Sequence, residues 1–342
     1  MAERTITVHH ARALLRGARR HGLDPVPLLQ TAGIPPLLLG DDRARVTEAQ
    51  FASLFRALYR ATGDEFLGLA PAPSRPGTFA MMCHAALGCR DLGAAIERGT
   101  AFYRLFPGGP DLALEHGASG TAGSGDAVFT VRGPLDRVDD DRFLTECVLT
   151  IWHRLCSWLV GRRIPLLAAA FTYPPPPHRD EYGPLFGCPV RFAAPATEAV
   201  FAAHWLTAPL VRDEDDLARM LRRSPFELLS RRAYGTTVAE QVHGALARAL
   251  RYSPRLPAPD EVAARLAVSP ATLRRRLQRE GTSYRRLRDA VLRDAAIAGL
   301  VAGREPIAVL AARLGFAEDA SFHRAFRRWT GTTPGAYRGQ ES

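Results

Sequence analysis

Two arginine-rich stretches near the end of the chain hold the residue types that bind polyanions. The first, SPATLRRRLQREG, covers 269–281, and the second, GFAEDASFHRAFRRW, covers 315–329. Guanidinium groups bind phosphates as planar forks and can bind one guanine through two hydrogen bonds. Each stretch also repeats apolar residues at helical spacing, which predicts an amphipathic helix. These apolar residues are Leu273 and Leu277 in the first helix and Phe322, Phe326 and Trp329 in the second.

The helix faces opposite these apolar residues are predicted to carry the contacts. At 100° per residue, each opposite face combines a small residue with arginines, a surface that suits the major groove of DNA. An ordinary amphipathic helix with a solvated basic face would show the same pattern, so this alternative stays open for either stretch taken alone. We call the two predicted helices the first and second reading helices. Their predicted contact residues are Ala271, Thr272, Arg274, Arg275, Gln278 and Arg279 in the first and Ala320, Ser321, His323, Arg324, Arg327 and Arg328 in the second.

The arginines of the two reading helices are predicted to divide between bases and phosphates. Four neighbouring arginines seldom all reach base edges, so some of them must contact the DNA backbone. Arg275 and Arg324 lie at the centres of the predicted outer faces, and we expect them to contact bases. The arginines expected to contact phosphates are Arg276, Arg279, Arg327 and Arg328.

The residues before the first reading helix predict the rest of a helix-turn-helix motif. Val262, Ala263 and Leu266 have the spacing of a short helix with one buried face. Ser269 is a favourable N-cap for the reading helix, Pro270 suits its first turn, and Gly281 can close its C-terminus. The first motif is therefore predicted at about 259–281.

A second motif follows a connecting helix predicted at about 284–301. Ile307, Leu310 and Leu314 predict its supporting helix and Gly315 its turn, so that the motif covers about 306–329. Ala317 stands at the predicted start of the second reading helix, and an alanine cap costs about 1 kcal/mol. We therefore expect Ala317→Ser to stabilise the second reading helix.

The two motifs together resemble the DNA-binding domain of AraC-type transcription regulators. The resemblance covers nearly all of 237–338 and is carried by SPATLRRRLQREGTSY and LGFAEDASFHRAFRRWTGTTPGAYR. It implies that both reading helices enter successive major-groove segments on one face of double-stranded promoter DNA. It also implies contacts at Ala271, Thr272, Arg274 and Arg275, and at Asp319, Ala320, Ser321, His323 and Arg324. Asp319 departs from this role, because phosphate repels a carboxylate, although it could accept a hydrogen bond from cytosine.

The charge of the chain is concentrated in the same region. From residue 234 onward there are 18 arginines and 10 acidic residues, a net charge of +8, whereas residues 1–233 hold 27 arginines and 25 acidic residues, a net charge of +2. A near-neutral body with a basic C-terminal third is typical of a protein with a polyanion-binding module. All 45 basic residues are arginine, which compositional bias of the genome explains, so the arginine count alone is a weak argument.

Other classes of protein are disfavoured by what the sequence lacks. The five cysteines have no CxxC spacing, which argues against a disulfide framework or a zinc site. The N-terminus has no secretory apolar core, and no run of roughly 18 apolar residues predicts a membrane helix. The HExxH, GxSxG, P-loop and GxGxxG motifs are absent, and the histidines lack ligand-like spacing. We therefore expect a cytoplasmic protein that is not an enzyme, with no catalytic residues, no metal and no cofactor.

The first two thirds of the chain predict an α+β domain. Helical stretches fill much of residues 5–105, LALEH and AVFTVRG predict a β-hairpin, and LLAAAFTY at 166–173 predicts a buried strand. A long apolar helix is predicted over 139–160 and another helix over 217–232. We place the domain boundary at Tyr234-Gly235, with an α+β domain at 1–233 and an all-α domain with two helix-turn-helix motifs at 234–342.

The N-terminal domain resembles the effector domain of one branch of AraC-type regulators, the arabinose-binding-like branch without a cupin barrel. RDLGAAIERGTAFYRLF, FTYPPPPHRDEYGPLFGCPVRF and HWLTAPLVRDEDDL carry this resemblance over most of 5–225. It implies a small organic effector and a homodimer, and it does not imply a sugar. For each large apolar side chain taken singly, core packing is the better explanation. The residues predicted to line an effector pocket are Phe79, Met82, Phe106, Trp152 and Trp205.

These observations lead to one main hypothesis and two alternatives. The main hypothesis is a transcription regulator that senses a small organic molecule with its N-terminal domain, binds promoter DNA with its C-terminal domain, and contacts RNA polymerase if it is an activator. The first alternative is a DNA-binding protein that needs no ligand. The second is an enzyme whose N-terminal domain converts its small molecule.

Overall fold

The computed structural model describes residues 5–116, 125–132, 135, 142–222, 228 and 237–339. The chain forms two compact units. The helical unit comprises Met1–Leu15, Leu23–Leu58 and Thr237–Ser342, and the sheet unit comprises Arg16–Gly22 and Tyr59–Thr236. The predicted boundary at Tyr234-Gly235 and the predicted helical residues 139–141, 223–227 and 229–232 lie outside the described residues. The division into 1–233 and 234–342 stays a prediction, and it did not anticipate that N-terminal segments group with the C-terminal helices.

The first part of the chain alternates helices with short strands. Among the described residues, this part of the chain also has 3-10 helices at Pro36–Gly40, Arg179–Glu181 and Ala203–Thr207. In chain order the elements are β1 Thr5–Thr7, α1 Val8–Arg20, α2 Pro25–Ala32, β2 Arg45–Thr47, α3 Glu48–Thr62, α4 Thr78–Leu87, α5 Leu92–Tyr103, β3 Asp111–His116, β4 Asp126–Arg132, α6 Phe143–Leu159, β5 Leu166–Ala170, α7 Tyr182–Phe186, β6 Val190–Arg191, β7 Thr197–Ala202 and α8 Glu214–Leu221.

The described residues from 237 onward are helical. The elements are α9 Val238–Ala249, α10 Pro259–Arg265, α11 Pro270–Arg279, α12 Tyr284–Ala302, α13 Ile307–Arg313, α14 Asp319–Thr330 and α15 Pro334–Gly339. The predicted fold class, α+β followed by an all-α region with two helix-turn-helix motifs and a linker helix, is confirmed.

The sheet unit is built on a five-stranded sheet with the order β3-β4-β7-β5-β6. All neighbours are antiparallel except β5 and β6, which are parallel. The predicted hairpin is present, with Leu112 opposite Val131 and Leu114 opposite Phe129. The predicted strand at 166–173 is shorter, because β5 ends at Ala170. The predicted helix at 217–232 instead starts at Glu214, and its later residues are largely outside the described part.

Helix α6 forms the core of the sheet unit. Most of its side chains between Phe143 and Leu159 are buried, and the Trp152 indole lies 5.2 Å from the Phe129 ring of β4. Gly99 of α5 makes room for this indole, since a Cβ atom at Gly99 would lie 2.4 Å from Trp152 Cη2. A side chain at position 99 would therefore displace the central aromatic residue of this core.

The helical unit has one hydrophobic core that includes residues from both ends of the chain. Val8, Leu38 and Ala44 are buried in it together with the C-terminal helices. A two-stranded antiparallel ribbon of β1 and β2 belongs to the same unit, with Ile6 opposite Val46. A capping box starts α3, because Thr47 N donates to Gln50 Oε1 at 2.9 Å and Gln50 N donates to Thr47 Oγ1 at 3.1 Å.

His153 of α6 predicts a pH dependence of the sheet unit. Burial, and next the nearby Arg163 charge, lower the pKa of His153 to about 3, although part of the side chain reaches the surface. Its Nε2 lies 2.8 Å from the Ile164 carbonyl oxygen, as expected for a neutral ring that donates there. The pKa of His153 in the folded state lies below the value near 6.5 in the unfolded chain. Above pH 6.5 the histidine is neutral in both states and does not affect the free energy of unfolding. As the pH falls below 6.5, His153 takes up a proton in the unfolded chain only, so the free energy of unfolding decreases.

We therefore expect His153→Gln to reduce the loss of stability between pH 6.5 and 5. The histidine contributes at most about 1.4 kcal/mol per pH unit in this range. Urea unfolding followed by tryptophan fluorescence at several pH values measures the difference, because Trp152 and Trp158 lie in the same helix. Parallel pH profiles for the two proteins would contradict this assignment.

Candidate nucleic-acid interface

The first helix-turn-helix motif is formed by α10 and α11. Ser269 caps α11 by accepting a hydrogen bond from Thr272 N at 3.2 Å, as predicted from the sequence. Leu273 and Leu277 of α11 are buried. Gly281, at φ +67°, follows the helix, and Thr282 N donates to the Leu277 carbonyl at 2.9 Å, which completes a Schellman motif. The first reading helix is therefore fixed at both ends and along its inner face.

The second motif is formed by α13 and α14 and is held by aromatic rings. Phe322 and Phe326 of α14 are fully buried, and Phe316 in the turn packs edge-to-face on Phe322 with ring centroids 5.4 Å apart. Trp329 is half-buried and lies 6.2 Å from the same Phe316 ring. These contacts anchor the second reading helix through its predicted apolar residues.

The turns of the two motifs repeat the same hydrogen bonds, but the second turn is one residue longer. Val268 N donates to Ala263 O, and Phe316 N donates to Ala311 O, each at 3.1 Å. The donor and the acceptor in the second turn each lie 48 residues after their counterparts in the first turn. The buried residues of the reading helices are instead offset by 49 residues, because Leu273 corresponds to Phe322 and Leu277 to Phe326.

The extra residue corrects the expected cap of the second reading helix. The N-cap of α14 is Glu318, not Ala317, and its side chain makes no capping hydrogen bond. The prediction placed the cap at Ala317, whereas the buried phenylalanines set the helix start one residue later.

The twelve predicted contact residues form six pairs, each separated by 49 residues. Ala271 pairs with Ala320, Thr272 with Ser321, Arg274 with His323, Arg275 with Arg324, Gln278 with Arg327 and Arg279 with Arg328. All are exposed except Thr272 and Ser321, which are half-buried at equivalent positions. Both reading helices thus present the same six positions on their outer faces. Contact of these residues with DNA stays a prediction.

The arginines of this surface are largely free to bind an anion. Within the described residues, Arg274, Arg275, Arg276, Arg279 and Arg327 make no ion pair with a carboxylate. Arg324 Nη2 donates to Ser321 Oγ at 3.0 Å, which leaves its charge without a counterion.

Arg328 differs, because its Nη2 lies 3.5 Å from Asp289 Oδ2 of α12. A phosphate would compete with this carboxylate for Arg328.

A groove of about 600 Å³ runs beside the first reading helix. Ala271, Arg274 and Gln278 line one side, and Ser283 and Arg285 at the start of α12 line another. Ser283 caps α12 by accepting from Arg286 N at 3.3 Å. The predicted contact residues therefore continue into a recess that one further arginine, Arg285, and one carboxylate, Asp260, also line.

The residues predicted to line an effector pocket all belong to the sheet unit and differ in their exposure. Met82 and Trp152 are buried, Phe79 and Trp205 are half-buried, and Phe106 is 42% exposed. The Phe106 ring lies 5.0 Å from Phe102, and the Arg162 guanidinium lies 5.3 Å from the Trp205 ring. Met82 and Trp152 meet beside Gly99, because a Cβ atom at Gly99 would lie 3.2 Å from Met82 Sδ and 2.4 Å from Trp152 Cη2. That the five residues line one effector pocket stays a prediction.

A small apolar cavity of about 20 Å³ lies between α5, α6 and the sheet. A volume of this size holds about one water molecule, whereas pockets for small-molecule ligands measure roughly 300–1,000 Å³. Trp152 is the one predicted pocket residue that lines it. The lining residues are Ile96, Phe129, Leu149, Trp152, His153, Cys156, Ile164, Leu166, Ala199 and Phe201.

A buried polar cluster in the sheet unit was not predicted. The Tyr173 hydroxyl lies 3.0 Å from Glu146 Oε1 and 3.1 Å from the Tyr182 hydroxyl, which also donates to Glu146. His178 stacks on Tyr182, with its Nε2 3.8 Å from Glu146 Oε1. Burial and the nearby Glu146 charge raise the pKa of both tyrosines, which keeps their hydroxyls protonated. Sequence spacing gives no signal for this cluster, because its members come from α6, α7 and the segment between β5 and α7.

Comparison with protein families identifies both regions of the chain. Residues 22–210 match the arabinose-binding domain of AraC transcription regulators, and residues 262–340 match a helix-turn-helix domain. The chain belongs to the AraC family of transcription regulators. As an AraC-type regulator it has a C-terminal helix-turn-helix DNA-binding domain and an N-terminal effector-binding domain, as predicted.

Several known proteins are similar to this AraC-family chain. The ornithine utilization regulator of Pseudomonas aeruginosa is 27% identical over 335 residues, which cover 97% of this chain and 96% of that protein. The regulator VqsM of the same species is 41% identical over 73 residues, 21% of this chain and 22% of VqsM. The crystal structure of the P. aeruginosa regulator CdpR is 22% identical, with a TM-score of 0.30 over 97% of this chain and 98% of CdpR. Among the described residues, no helix is both long and apolar enough to cross a membrane.

The two turns of the DNA-binding domain predict opposite effects of glycine and alanine. Ala267 adopts φ +52°, a left-handed conformation that costs a non-glycine residue about 1 kcal/mol or more, so Ala267→Gly should stabilise the domain by up to about 1 kcal/mol. Gly315 adopts φ +85°, and a Cβ atom there would lie 2.4 Å from the Pro254 carbonyl oxygen, so Gly315→Ala should destabilise it by about 1–3 kcal/mol. Urea unfolding measures both changes, and a loss of stability in Ala267→Gly would contradict the first.

The cap of the second reading helix can be tested with two serine substitutions. Glu318→Ser should stabilise the DNA-binding domain by about 0.5–1 kcal/mol, because the serine hydroxyl can accept from a free backbone N–H of the first turn. Ala317→Ser is the matched control and should have little effect, since residue 317 precedes the cap. Stabilisation by Ala317→Ser alone in thermal or urea unfolding would place the cap one residue earlier.

Proposed function

We propose that this AraC-family regulator binds promoter DNA through the six matched positions on α11 and α14. The observation that carries this proposal is the repetition of six outward-facing positions in two motifs. Apart from Arg328, the arginines at these positions have no carboxylate partner among the described residues. Arg275 and Arg324 occupy the same position in the two helices and are assigned to base contacts. Arg276, Arg279 and Arg327 are assigned to phosphates, where their charge is needed but a specific base is not.

The N-terminal domain is proposed to sense a small organic effector and to form a homodimer. By linkage, an effector changes DNA affinity only if it binds two conformations differently, an effect typically worth about 1–3 kcal/mol. The cavity beside Trp152 holds about 20 Å³, so an effector at that place would require it to open. The relative named for ornithine utilization makes ornithine and related amino acids the first candidates to screen.

The regulator is proposed to act without enzymatic turnover, in the cytoplasm, where promoter DNA is available. The relatives described above are transcription regulators, which supports a binding role over a catalytic one. If the protein is an activator, RNA polymerase is the expected partner.

The proposed division of labour is tested by replacing single arginines in the full-length protein. Arg275→Ala and Arg324→Ala should each weaken binding to the preferred duplex by about 1–3 kcal/mol and relax the base preference at one position. Arg276→Ala should weaken binding to all sequences about equally and reduce the salt dependence of the affinity. Selection from a random-sequence DNA library, followed by fluorescence anisotropy, measures both affinity and preference.

Arg304→Ala is the matched control for these variants. Arg304 is exposed in the same unit but lies outside both reading helices, so its removal changes the net charge by the same amount. If Arg275→Ala and Arg324→Ala behaved like Arg304→Ala, the assigned base contacts would be wrong.

A further inference from the structure

The N-terminal ribbon of β1 and β2 is part of the helical unit that holds both reading helices. Val8 and Ala44, which adjoin its two strands, are buried in the same core as Leu300 and Phe326. Val8 N also donates to the Ala44 carbonyl at 2.9 Å, which ties the two arms of the ribbon together. The core of the DNA-binding domain is thus completed by residues from the opposite end of the chain.

A chain of buried hydrogen bonds joins this ribbon to the linker helix α12. Arg45 of β2 donates through Nε to Thr5 Oγ1 at 2.6 Å and through Nη2 to the Thr5 carbonyl at 2.8 Å. The Thr5 hydroxyl in turn donates to Asp294 Oδ1 at 2.5 Å. Arg45, Thr5 and Asp294 are each at most 5% exposed. Asp294 Oδ1 also accepts from Arg293 Nε of the same helix at 3.3 Å. A buried carboxylate is costly unless it is hydrogen-bonded, and the Thr5 bond satisfies Asp294 from outside α12 and so links the ribbon to that helix.

The same ribbon also reaches the second reading helix through α15. The Tyr337 hydroxyl donates to the Arg45 carbonyl at 2.5 Å. The Tyr337 ring packs edge-to-face on Phe326 of α14, with centroids 5.5 Å apart. Phe326 is the buried anchor of the second reading helix, so one strand contacts both the linker helix and the support of that helix.

A further contact lies where the second reading helix ends. Gly331 follows α14 at φ +80°, and a Cβ atom there would lie 2.4 Å from Asp41 Oδ2 in the segment before β2. The backbone at the C-terminus of α14 therefore lies directly against the N-terminal segment.

We propose that the ribbon is a positioning element for DNA reading, with Thr5, Arg45 and Tyr337 as positioning residues. By holding α12 at Asp294 and α14 through Tyr337, it fixes the separation and rotation of the second reading helix relative to the first. None of these residues faces the outer surfaces of the reading helices, so they act on the spacing between two half-sites rather than on the choice of base. This inference rests on the proposed binding of DNA by both reading helices.

The proposal is tested with full-length variants and with DNA of altered spacing. Thr5→Val removes the hydroxyl that links Arg45 to Asp294 while keeping the shape of the side chain, and Thr5→Ser is the matched control that keeps the hydroxyl. Tyr337→Phe removes one hydroxyl at the second contact. The probes are the duplex that the wild-type protein selects from a random library, and the same duplex with one or two base pairs inserted between its half-sites. Each inserted base pair turns one half-site by about a tenth of a helical turn.

We expect Thr5→Val and Tyr337→Phe to bind the selected duplex about tenfold more weakly, the size expected for one hydrogen bond to a charged or buried group. Affinity for the inserted probes should change less, so that the preference for the selected spacing falls about threefold or more. Thr5→Ser should keep the wild-type preference. Tryptophan fluorescence and urea unfolding test whether each variant is folded. If Thr5→Val does not fold, Tyr337→Phe tests the proposal in its place.

Two results would overturn the proposal. An equal loss of affinity for all probes would assign the ribbon to stability alone, and wild-type behaviour of both folded variants would show that the hydrogen bonds do not position the helices. Failure of the proposed DNA contacts is distinguishable, because Arg275→Ala and Arg324→Ala would then leave binding to the selected duplex unchanged.

Discussion

Burial of the inner faces of the two reading helices is the constraint on which the DNA-binding surface depends. Leu273 and Leu277 in one motif, and Phe322 and Phe326 in the other, set the rotation of each helix about its axis. Once these side chains are buried, the six matched positions must face outward, because helical residues on opposite faces differ by about half a turn. The arginines of this surface therefore owe their direction to apolar packing rather than to electrostatics.

Both helix-turn-helix motifs could be predicted because their signals are local. The capping serine Ser269, the closing Gly281 and the apolar repeats all lie within a few turns of the elements that they define. The cap of α14 was predicted one residue too early, because the longer second turn becomes visible only when the buried anchors are compared. The effector pocket was predicted from residue type alone, and type does not tell which aromatic side chains converge. Trp152 lines the cavity, whereas Phe106 lies at the surface.

The contribution of the N-terminal ribbon could not be predicted, since its partners are far apart in the chain. Thr5 and Asp294 are separated by 289 residues, and neither has a neighbour in sequence that signals a buried hydrogen bond. The buried cluster of Glu146, Tyr173 and Tyr182 was missed for the same reason. A polar side chain can be buried only where the fold supplies a hydrogen-bond partner. The hydrophobic periodicity of the sequence does not show where such partners lie.

The two reading helices present different side chains at some of their matched positions, and this difference gives the DNA-binding surface a direction. The paired positions differ in chemistry, with arginine opposite histidine at Arg274 and His323 and amide opposite guanidinium at Gln278 and Arg327. With the proposed DNA contacts, a single copy of the chain has two distinguishable ends and fits a DNA segment that is not a palindrome. The base sequence would then decide which end of the protein points toward the start of transcription, a polarity that a symmetric pair of motifs does not have.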